Sequence, residues 1–381
     1  MTILASHPRK VYLVGPLPPP VVGLSVINAA LRNQLLEAGI TSIVINLAPF
    51  RLGISWSVKL RRLSKVLRGI WNFLQSRPKA GDILYISISG RFGQIYESIF
   101  TALARRLGMR IFMHHHSYAY LDRASQLFRL LSSIAGPETT HIALSAGMAM
   151  RLRGTYPNCS RVIIISNAVF VGPLVPTAVR SRQSVKTIGF LSNISEEKGV
   201  FDFLQVVSRL ESDGWNIIAK LAGPFDDSTI EKRVYRYLQS IRSVEYVGSK
   251  YDDEKSNFFD EIDVLLFPTR YVNEAEPVTI LESMAYGVPV IAFGRGSIGE
   301  LITMGCGVVV DKDNDFVEAT LLQLKMWKAS PETFQKASIE ARTRFEQLYD
   351  QSVSQWTALR AELCDGAVIH TKTGASRTVT R

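Results

Sequence analysis

Short apolar runs alternate with segments of helical periodicity along most of the chain. In the first half the apolar runs predict six strands, at Lys10–Gly15, Ser42–Asn46, Ile83–Ser87, Arg110–His114, His141–Leu144 and Val162–Ile165. The segments between them predict helices at Ser25–Ala38, Trp56–Arg77 and Tyr96–Leu107. Strands that alternate with helices indicate βαβ units and a parallel sheet.

The pattern lapses into Pro, Ser and basic residues at Val171–Lys186, which we interpret as a linker, and then restarts. The second series predicts strands at Thr187–Leu191, Ile217–Ala222, Val244–Val247, Val264–Phe267, Pro289–Ala292 and Gly307–Val310. It predicts helices at Val200–Ser212, Pro277–Tyr286, Phe316–Lys328 and Pro331–Leu363. We therefore predict an α/β protein with two Rossmann-like domains facing a central cleft, because open parallel sheets bind ligands beyond the carboxyl ends of their strands.

Composition agrees with two folded domains. The 381 residues are 46% hydrophobic and 20% charged, which excludes a disordered or fibrous chain. The three cysteines, Cys159, Cys306 and Cys364, lack paired or metal-type spacing, which argues against a disulfide framework and a zinc ribbon. The sequence shows neither a secretory signal nor 18 consecutive uncharged apolar residues, so we expect a cytoplasmic protein without a spanning helix.

Charge is distributed unevenly between the two halves. Residues 1–187 carry 23 Lys and Arg against 5 Asp and Glu, a net charge of +18, whereas residues 188–381 carry 21 against 29, a net charge of −8. This asymmetry indicates two domains with different partners.

One basic segment, Trp56–Arg77, has apolar residues at helical spacing and contains no acidic residue. Its apolar positions are Leu60, Leu63, Leu67, Ile70, Trp71 and Leu74, and its basic positions are Lys59, Arg61, Arg62, Lys65, Arg68 and Arg77. A basic amphipathic helix is typical of a membrane-surface element. The alternative is an ordinary core-facing helix with a solvated basic back. No nucleic-acid-binding motif accompanies the charge, so nucleic acid is not an expected partner.

The segment Phe267–Glu300 carries the chemistry. A buried strand ends at Phe267, and Pro277 occupies a position that the first helical turn tolerates. The N-terminus of this helix opens toward the strand-end crevice, where its N–H groups suit a phosphate. Glu274 precedes the helix and Glu282 lies about one and a half turns inside it. The two carboxylates are therefore placed to bind hydroxyls at both ends of a sugar–diphosphate–nucleoside.

Glu274, seven intervening residues and Glu282, followed by SMAYGVPVIA and GSIGE, resemble the donor-site signature of glycosyltransferase family 4, the retaining GT-B enzymes of glycosyl transferases group 1. GFLSNISEEKGVFDFL and GPLPPPVVGLSVINAAL are similar to the first segments of that family's two domains. The resemblance implies a GT-B fold with an acceptor-side domain at residues 1–180 and a nucleotide-sugar donor domain at 181–345. It also implies that a helix at 346–364 crosses back to the first domain; the tail, 365–381, is predicted to be disordered.

The resemblance also assigns residues on the donor side. Glu274 would hold the sugar hydroxyls, Glu282 the ribose and Lys198 the diphosphate. The helix N-terminus at Pro277 and Val278 would meet the same diphosphate. Asn193 stands where the family commonly has an Arg that contacts phosphate. Arg270 is a candidate replacement, although an ordinary surface ion pair explains it equally well.

On the opposite wall, Gly23 would let the backbone approach the diphosphate. His116 best fits the family's histidine near the transferred sugar, with His114 second. A metal site is the rival interpretation of the His114–His116 triplet, but consecutive strand residues face opposite sides of a sheet. Two acidic pairs, Asp226–Asp227 and Asp252–Asp253, are interpreted as solvated turns in polar loops. We expect neither a metal nor another cofactor.

The sequence thus predicts a metal-independent, retaining glycosyltransferase that moves a sugar from a nucleotide-sugar to a lipid-linked or polysaccharide acceptor in bacterial surface glycan synthesis, lipopolysaccharide included. We expect it to be peripheral on the inner face of the plasma membrane. Two alternatives stay open among enzymes, a GT-B-like nucleotide-sugar epimerase and a dinucleotide oxidoreductase, although the first strand lacks a full G-x-G-x-x-G. A third is a non-catalytic nucleotide-sugar-binding protein, which Asn193 favours.

Overall fold

The computed structural model describes residues 10–40, 42–48, 56–172, 180–303 and 305–365, with only the backbone at 56–62 and 364–365. The middle of the predicted linker and all but the first residue of the predicted tail lie outside this part of the chain. The described residues form two parallel six-stranded sheets flanked by helices. The predicted α/β fold with two parallel sheets is therefore confirmed.

The first sheet has the strand order β2-β1-β3-β4-β5-β6, and all its pairings are parallel. Its strands are β1 (Val11–Gly15), β2 (Ser42–Asn46), β3 (Ile83–Ile88), β4 (Arg110–His115), β5 (Thr140–Ala143) and β6 (Val162–Ile164). Strands β1 and β3 are buried along their whole length, as expected where helices cover both faces of a parallel sheet. Each predicted strand agrees with the observed one to within a residue at either end.

Seven helices of the described chain accompany this sheet. They are α1 (Gly23–Glu37), α2 (Trp56–Gln75), α3 (Gly93–Arg106), α4 (Ala119–Asp122), α5 (Gln126–Ala135), α6 (Ala146–Thr155) and α7 (Ala168–Val171). Helices α2 and α3 pack side by side, with the rings of Phe73 and Phe100 5.9 Å apart. The basic segment is therefore a helix, and one of its faces is part of the core.

The second sheet has the order β12-β11-β10-β7-β8-β9 and is also parallel throughout. Its strands are β7 (Thr187–Leu191), β8 (Ile218–Ala222), β9 (Val244–Tyr246), β10 (Val264–Phe267), β11 (Val290–Phe293) and β12 (Gly307–Val310). The helices of this half are α8 (Val200–Ser212), α9 (Ser228–Leu238), α10 (Asp252–Glu261), α11 (Val278–Ala285), α12 (Ile298–Leu301), α13 (Phe316–Ala329) and α14 (Pro331–Asp365).

Two sequence interpretations in this half are wrong. The pair Asp252–Asp253 does not lie in a loop but opens α10, where acidic side chains are stabilised by the positive end of the helix dipole. The other pair, Asp226–Asp227, does lie in an exposed loop, where Asp227 is the N-cap of α9 and accepts hydrogen bonds from the Thr229 and Ile230 N–H groups. Pro277 is likewise the N-cap residue of α11, with an extended backbone, rather than part of its first turn.

The last helix, α14, runs unbroken for 35 residues and joins both halves. Its final turns place Trp356, Leu359 and Leu363 in the core beneath the first sheet, and the ring of Trp356 lies 5.4 Å from that of Phe170. Glu362 forms ion pairs with Arg110 and Arg161. No helix in the described part of the chain is long and apolar enough to cross a bilayer.

Candidate active site

The candidate site lies where the strand order of the second sheet reverses. Strands β7 and β10 are neighbours, but the chain leaves β7 toward β8 on one side and β10 toward β11 on the other. The loops that follow such a strand pair separate and leave a crevice at the carboxyl edge of the sheet. The loop after β7 carries Asn193 and Lys198, and the loop after β10 carries Arg270 and Glu274.

Lys198 and Glu274 meet in this crevice. The Lys198 ammonium donates to Glu274 Oε2 at 2.5 Å, and the Thr269 hydroxyl donates to the same oxygen at 3.1 Å. Only 17% of the Lys198 side chain and 11% of the Glu274 side chain are exposed. The Lys198 ammonium also lies 4.5 Å from the centre of the Tyr271 ring. The structure thus brings together two predicted donor-site residues that are far apart in sequence.

Gly199 allows the two loops to approach this closely. Its φ is +81°, and a Cβ at this position would lie 2.1 Å from the Pro268 carbonyl oxygen. A side chain would therefore strain the backbone and separate the loops.

Glu282 lies in α11 and pairs with Lys255 of α10. The Lys255 ammonium lies 2.6 Å from Glu282 Oε1 and 2.5 Å from Oε2. Burial raises the pKa of the Glu282 carboxyl, and the Lys255 charge partly opposes this shift. Glu282 occupies the predicted place, one turn behind Val278 at the start of the helix. Lys255 was not anticipated, because its distance from Glu282 depends on how α10 packs against α11.

The other predicted donor residues are less closely associated. Arg270 forms a bidentate ion pair with Asp202 of α8, and its guanidinium lies 4.4 Å from the centre of the Phe293 ring. Its charge is thus already compensated, as in the ordinary ion pair considered above. Asn193 is half-buried in the loop after β7. Gly23 is the first residue of α1, exposed and with open space around its Cα.

His116 directly follows β4, on the first-sheet side of the cleft. Its Nε2 is buried and makes no hydrogen bond within the described residues, and burial lowers the pKa of its imidazole to about 3. The His114 ring lies 4.0 Å from that of His116, and its Nδ1 is 2.9 Å from the Tyr85 hydroxyl. His115 faces the other way and contacts Tyr120 and His141. Among the described residues no three His, Cys, Asp or Glu side chains are grouped so that they could hold a metal ion.

Direct hydrogen bonds connect the two walls of the cleft. The Ser117 hydroxyl donates to Asn273 Oδ1 at 3.0 Å, so His116 and Glu274 are each one residue away from a contact between the walls. Glu300 accepts from the Ser145 hydroxyl at 2.6 Å and from the Gly147 N–H at 2.9 Å, at the N-terminus of α6. The structure is therefore a closed form of the cleft.

Glu276 makes a further contact across the cleft that sequence reasoning missed. Its carboxylate accepts the Asn167 N–H at 2.5 Å, and the Asn167 amide donates to the Glu276 carbonyl at 3.1 Å. Burial raises the pKa of this carboxyl to about 8, against the lowering effect of hydrogen bonds from Asn167 and Ser166. The proximity of Glu276 to Glu274 in sequence was the one available signal.

The first sheet has a reversal of its own, between β1 and β3. A cavity of about 70 Å³ lies there, at the carboxyl ends of both strands and the start of α3. Its lining is apolar at Val14, Leu47 and Ile86 and polar at Ser89 and Glu97. The Glu97 carboxylate accepts from the Ser89 N–H and hydroxyl. The first sheet therefore has a recess at the position where α/β proteins bind ligands.

Comparison with known proteins identifies the class. The model of the family "Glycosyl transferases group 1" matches residues 177–343, which contain the whole second sheet and the Lys198–Glu274 crevice. This part of the chain therefore matches the glycosyl transferases group 1 family, and the two sheets of the chain form a GT-B fold. Asn193, Lys198, Arg270, Glu274, Pro277, Val278 and Glu282 all lie inside the matched range.

Individual relatives are distant. The chain is 25% identical over 127 residues to the capsular polysaccharide biosynthesis glycosyltransferase CapM of Staphylococcus aureus; the match covers 33% of this chain and 32% of that protein. The chain thus matches only about a third of the length of this relative. Its fold is similar to that of sucrose-phosphate synthase from Thermosynechococcus elongatus, with a TM-score of 0.70, 14% identity and coverage of 94% of this chain and 100% of the other. It is also similar to Anabaena HepE in complex with UDP, with a TM-score of 0.62, 15% identity and coverage of 92% and 100%.

Proposed function

We propose that this protein is a retaining, metal-independent glycosyltransferase of the hexosyltransferase type, which transfers a sugar from a nucleotide-sugar to a lipid-linked or polysaccharide acceptor. The observation that carries the proposal is the Lys198–Glu274 ion pair at the crevice between β7 and β10, one residue from the Ser117–Asn273 contact. This arrangement puts a cation, a carboxylate and the imidazole of His116 around one closed cleft.

Each of these groups has a role in that reaction. The Lys198 ammonium and the N–H groups at the start of α11 stabilise the diphosphate as it leaves with the bonding electrons of the anomeric carbon. Glu274 accepts hydrogen bonds from the hydroxyls of the transferred sugar and orients it. His116 is neutral at physiological pH because its pKa is about 3, so it contacts the sugar as a neutral hydrogen-bonding group. The acceptor oxygen then bonds to the anomeric carbon from the same face, and its proton passes to an oxygen of the departing diphosphate.

The comparisons support the donor and the product class. HepE was crystallised with UDP, which makes uridine nucleotides the first donors to test. CapM takes part in capsular polysaccharide biosynthesis, which supports a bacterial surface glycan as the product. The recess between β1 and β3 faces the same cleft edge from the basic half of the chain and is our candidate position for the acceptor.

A panel of UDP-, GDP- and ADP-linked sugars, each incubated with bacterial membrane extract as acceptor source and with EDTA present, tests the proposal. We expect transfer from one donor, with the anomeric configuration retained in the product by NMR. Activity that EDTA abolishes and Mg²⁺ or Mn²⁺ restores would contradict metal independence. Release of an epimerised nucleotide-sugar would identify an epimerase instead.

A second candidate, a non-catalytic nucleotide-sugar-binding protein, is favoured by one observation. Asn193 stands where a phosphate-binding Arg is common in the family, and Arg270 is already paired with Asp202. The same panel separates the two candidates, since a binding protein retains a donor without turning it over.

We also propose that α2 contacts an anionic membrane surface. One of its faces is buried at Val66 and Phe73, but Leu63, Leu67, Trp71 and Leu74 form a second apolar stripe that is exposed, with 62% of Trp71 accessible. Arg68 adjoins Leu67 of this stripe in sequence and is exposed, and each Lys or Arg near an anionic leaflet contributes about 1 kcal/mol. A basic helix with an exposed apolar stripe fits the boundary between headgroups and acyl chains.

Vesicle sedimentation tests this surface. We expect binding to vesicles of phosphatidylglycerol and phosphatidylcholine, and about tenfold weaker binding after Trp71→Glu. The matched control is Leu322→Glu on α13, another exposed apolar residue on a helix of the other half. Equal binding to purely neutral vesicles would contradict the electrostatic contribution.

A further inference from the structure

The Lys255–Glu282 pair is the one lysine–glutamate contact of the donor crevice that sequence and family resemblance do not explain. Its two side chains are mostly buried, with 25% of Lys255 and 14% of Glu282 exposed. Among the described residues Lys255 is the charged group that acts on the Glu282 carboxyl. Glu282 is also the residue that we expect to bind the ribose of the donor.

The distance between these side chains is fixed by the packing of α10 against α11. The rings of Phe259 and Tyr286 stack with their centres 5.6 Å apart, near the ends of the two helices. Arg182 is buried beside them and donates to the Phe259 carbonyl at 2.8 Å, the Ile262 carbonyl at 3.0 Å and the Tyr286 carbonyl at 2.6 Å. A single guanidinium thus binds carbonyl groups at the C-terminal ends of both helices, where the last carbonyls have no partner inside the helix.

We propose that Lys255 is a positioning residue for nucleotide binding: it keeps the Glu282 carboxylate ionised and oriented so that the ribose hydroxyls of the donor can donate to it. This inference rests on the proposed function, because it takes the donor to be a nucleotide-sugar. Lys255 itself need not touch the nucleotide.

The physical reason is the cost of a buried carboxylate. Desolvation favours the protonated form, and the Lys255 ammonium is the group that opposes this effect at Glu282. A protonated Glu282 presents its own O–H and loses acceptor capacity toward a ribose hydroxyl. Without Lys255 the pKa of Glu282 rises further, so the pH below which the carboxylate is lost moves upward.

Calorimetric titration with UDP across pH 6 to 8.5 tests the inference in the full chain. We expect Lys255→Met to raise the Kd for UDP about tenfold at pH 6 and by a smaller factor at pH 8.5, because a higher pH favours the ionised carboxylate. Lys255→Arg should restore the wild-type pH dependence because it keeps the charge. The control is Lys220→Met. Lys220 of β8 pairs with Glu261, which lies on α10 like Lys255, so the variant also removes a lysine that is paired with a glutamate. We expect it to leave the Kd for UDP unchanged.

The double variant separates positioning from a direct role. In a Glu282→Gln background, Lys255→Met should change the Kd less than about twofold, since no carboxylate remains to be ionised. A tenfold further loss in that background would overturn the inference, as would a Lys255→Met effect that is the same at every pH. If UDP, GDP and ADP all fail to bind the wild-type protein, the proposed function itself fails and this inference with it. Wild-type binding that weakens in Glu282→Gln but not in Lys255→Met overturns the inference alone.

Discussion

Glu274 keeps its carboxylate largely out of water, and Lys198 is the charge that compensates for it. In the free protein the two groups neutralise each other. In the proposed reaction the lysine would also face a diphosphate and the carboxylate would face sugar hydroxyls. Both groups are thus held at low exposure before the substrate arrives, which is the condition for strong electrostatic stabilisation in an enzyme site.

Glu274→Gln should therefore affect turnover much more than stability. The amide has the same size and still accepts a hydrogen bond from Thr269, but it loses the charge opposite Lys198. We expect kcat to fall at least about 100-fold, with a loss of about 1 kcal/mol in the free energy of unfolding. Steady-state kinetics and urea denaturation measure the two effects. Glu318→Gln, which breaks an exposed pair with Arg209, is the control, and an unchanged kcat in Glu274→Gln would remove this residue from the mechanism.

The buried carboxyl of Glu276 predicts that the protein loses stability as the pH rises. Its folded pKa of about 8 exceeds the ordinary value of 4.5, so the folded protein binds a proton that the unfolded chain releases. This contribution to stability is present below pH 4.5 and is lost as pH rises toward 8. We expect Glu276→Gln, which stays neutral, to be more stable than wild type at pH 8 by about 1 to 3 kcal/mol and to lose this advantage near pH 5. Denaturation at the two pH values tests the sign.

The sequence predicted the residues of the site better than their partners. Glu274 and Glu282 follow from a strand end and from helix spacing, which are local features, and Lys198 follows from the family resemblance of its segment. Lys255, Glu276 and Glu300 make contacts that depend on how helices pack and how the cleft closes. Glu276 contacts Asn167, which lies 109 residues earlier in the sequence, and no local sequence pattern predicts a contact between residues so far apart in the chain.

At the scale of elements, the end of strand β4 contains several buried histidine side chains. His114 and His115 lie on opposite faces of its end, His116 follows, and His141 adjoins from β5. Burial lowers the pKa of all four, to about 3 for His116 and about 4 for His141. Because each folded pKa is below 6.5, the unfolded chain takes up protons first, and stability is lost as pH falls below that value.

We therefore expect the thermal midpoint to fall steeply between pH 6.5 and 4.5. His141→Asn keeps a side chain that can bond to His115 but removes one titrating group, so its midpoint should depend less on pH over this interval. Calorimetric melts at half-unit steps measure the slope. A variant slope equal to that of wild type would show that His141 does not contribute.

Helix packing in the second half depends on Arg182. It is buried, and although burial lowers its pKa to about 10, it remains charged at neutral pH. Arg182→Met should cost about 3 kcal/mol, since it leaves carbonyls of α10 and α11 unpaired in the core. Urea denaturation should show this loss, whereas the exposed Arg209→Met should change stability by less than about 0.5 kcal/mol.

Hydrophobic periodicity predicted the strands better than the helices, and the reason is physical. Every strand was located because a strand covered on both faces is a continuous apolar run. Helices α5, α6, α9 and α10 were missed. In the last two few residues are buried: Ile230 and Val234 in one, Phe258 and Phe259 in the other. Their positions are set by caps and by neighbours distant in sequence.

At the scale of the whole molecule, Glu300 contributes most directly to closure. It binds the N-terminus of α6 in the other half, and a Cβ at Gly147 would lie 2.5 Å from its carboxylate. Glu300→Ala should remove this contact and shift the protein toward an open cleft. We expect a larger radius of gyration by small-angle X-ray scattering, reversed in part by UDP. An identical scattering curve for variant and wild type would contradict this role of Glu300.

The return of α14 to the first sheet has a consequence for how the protein is made. Trp356, Leu359 and Leu363 complete the core that begins with Val11 and Leu13 of the first strand. A ribosome must therefore synthesise the chain as far as the end of α14 before the first sheet acquires its last apolar cover. Until then the nascent amino-terminal half leaves exposed the apolar surface that these side chains later cover. Docking of the final helix therefore completes the folding of the first half.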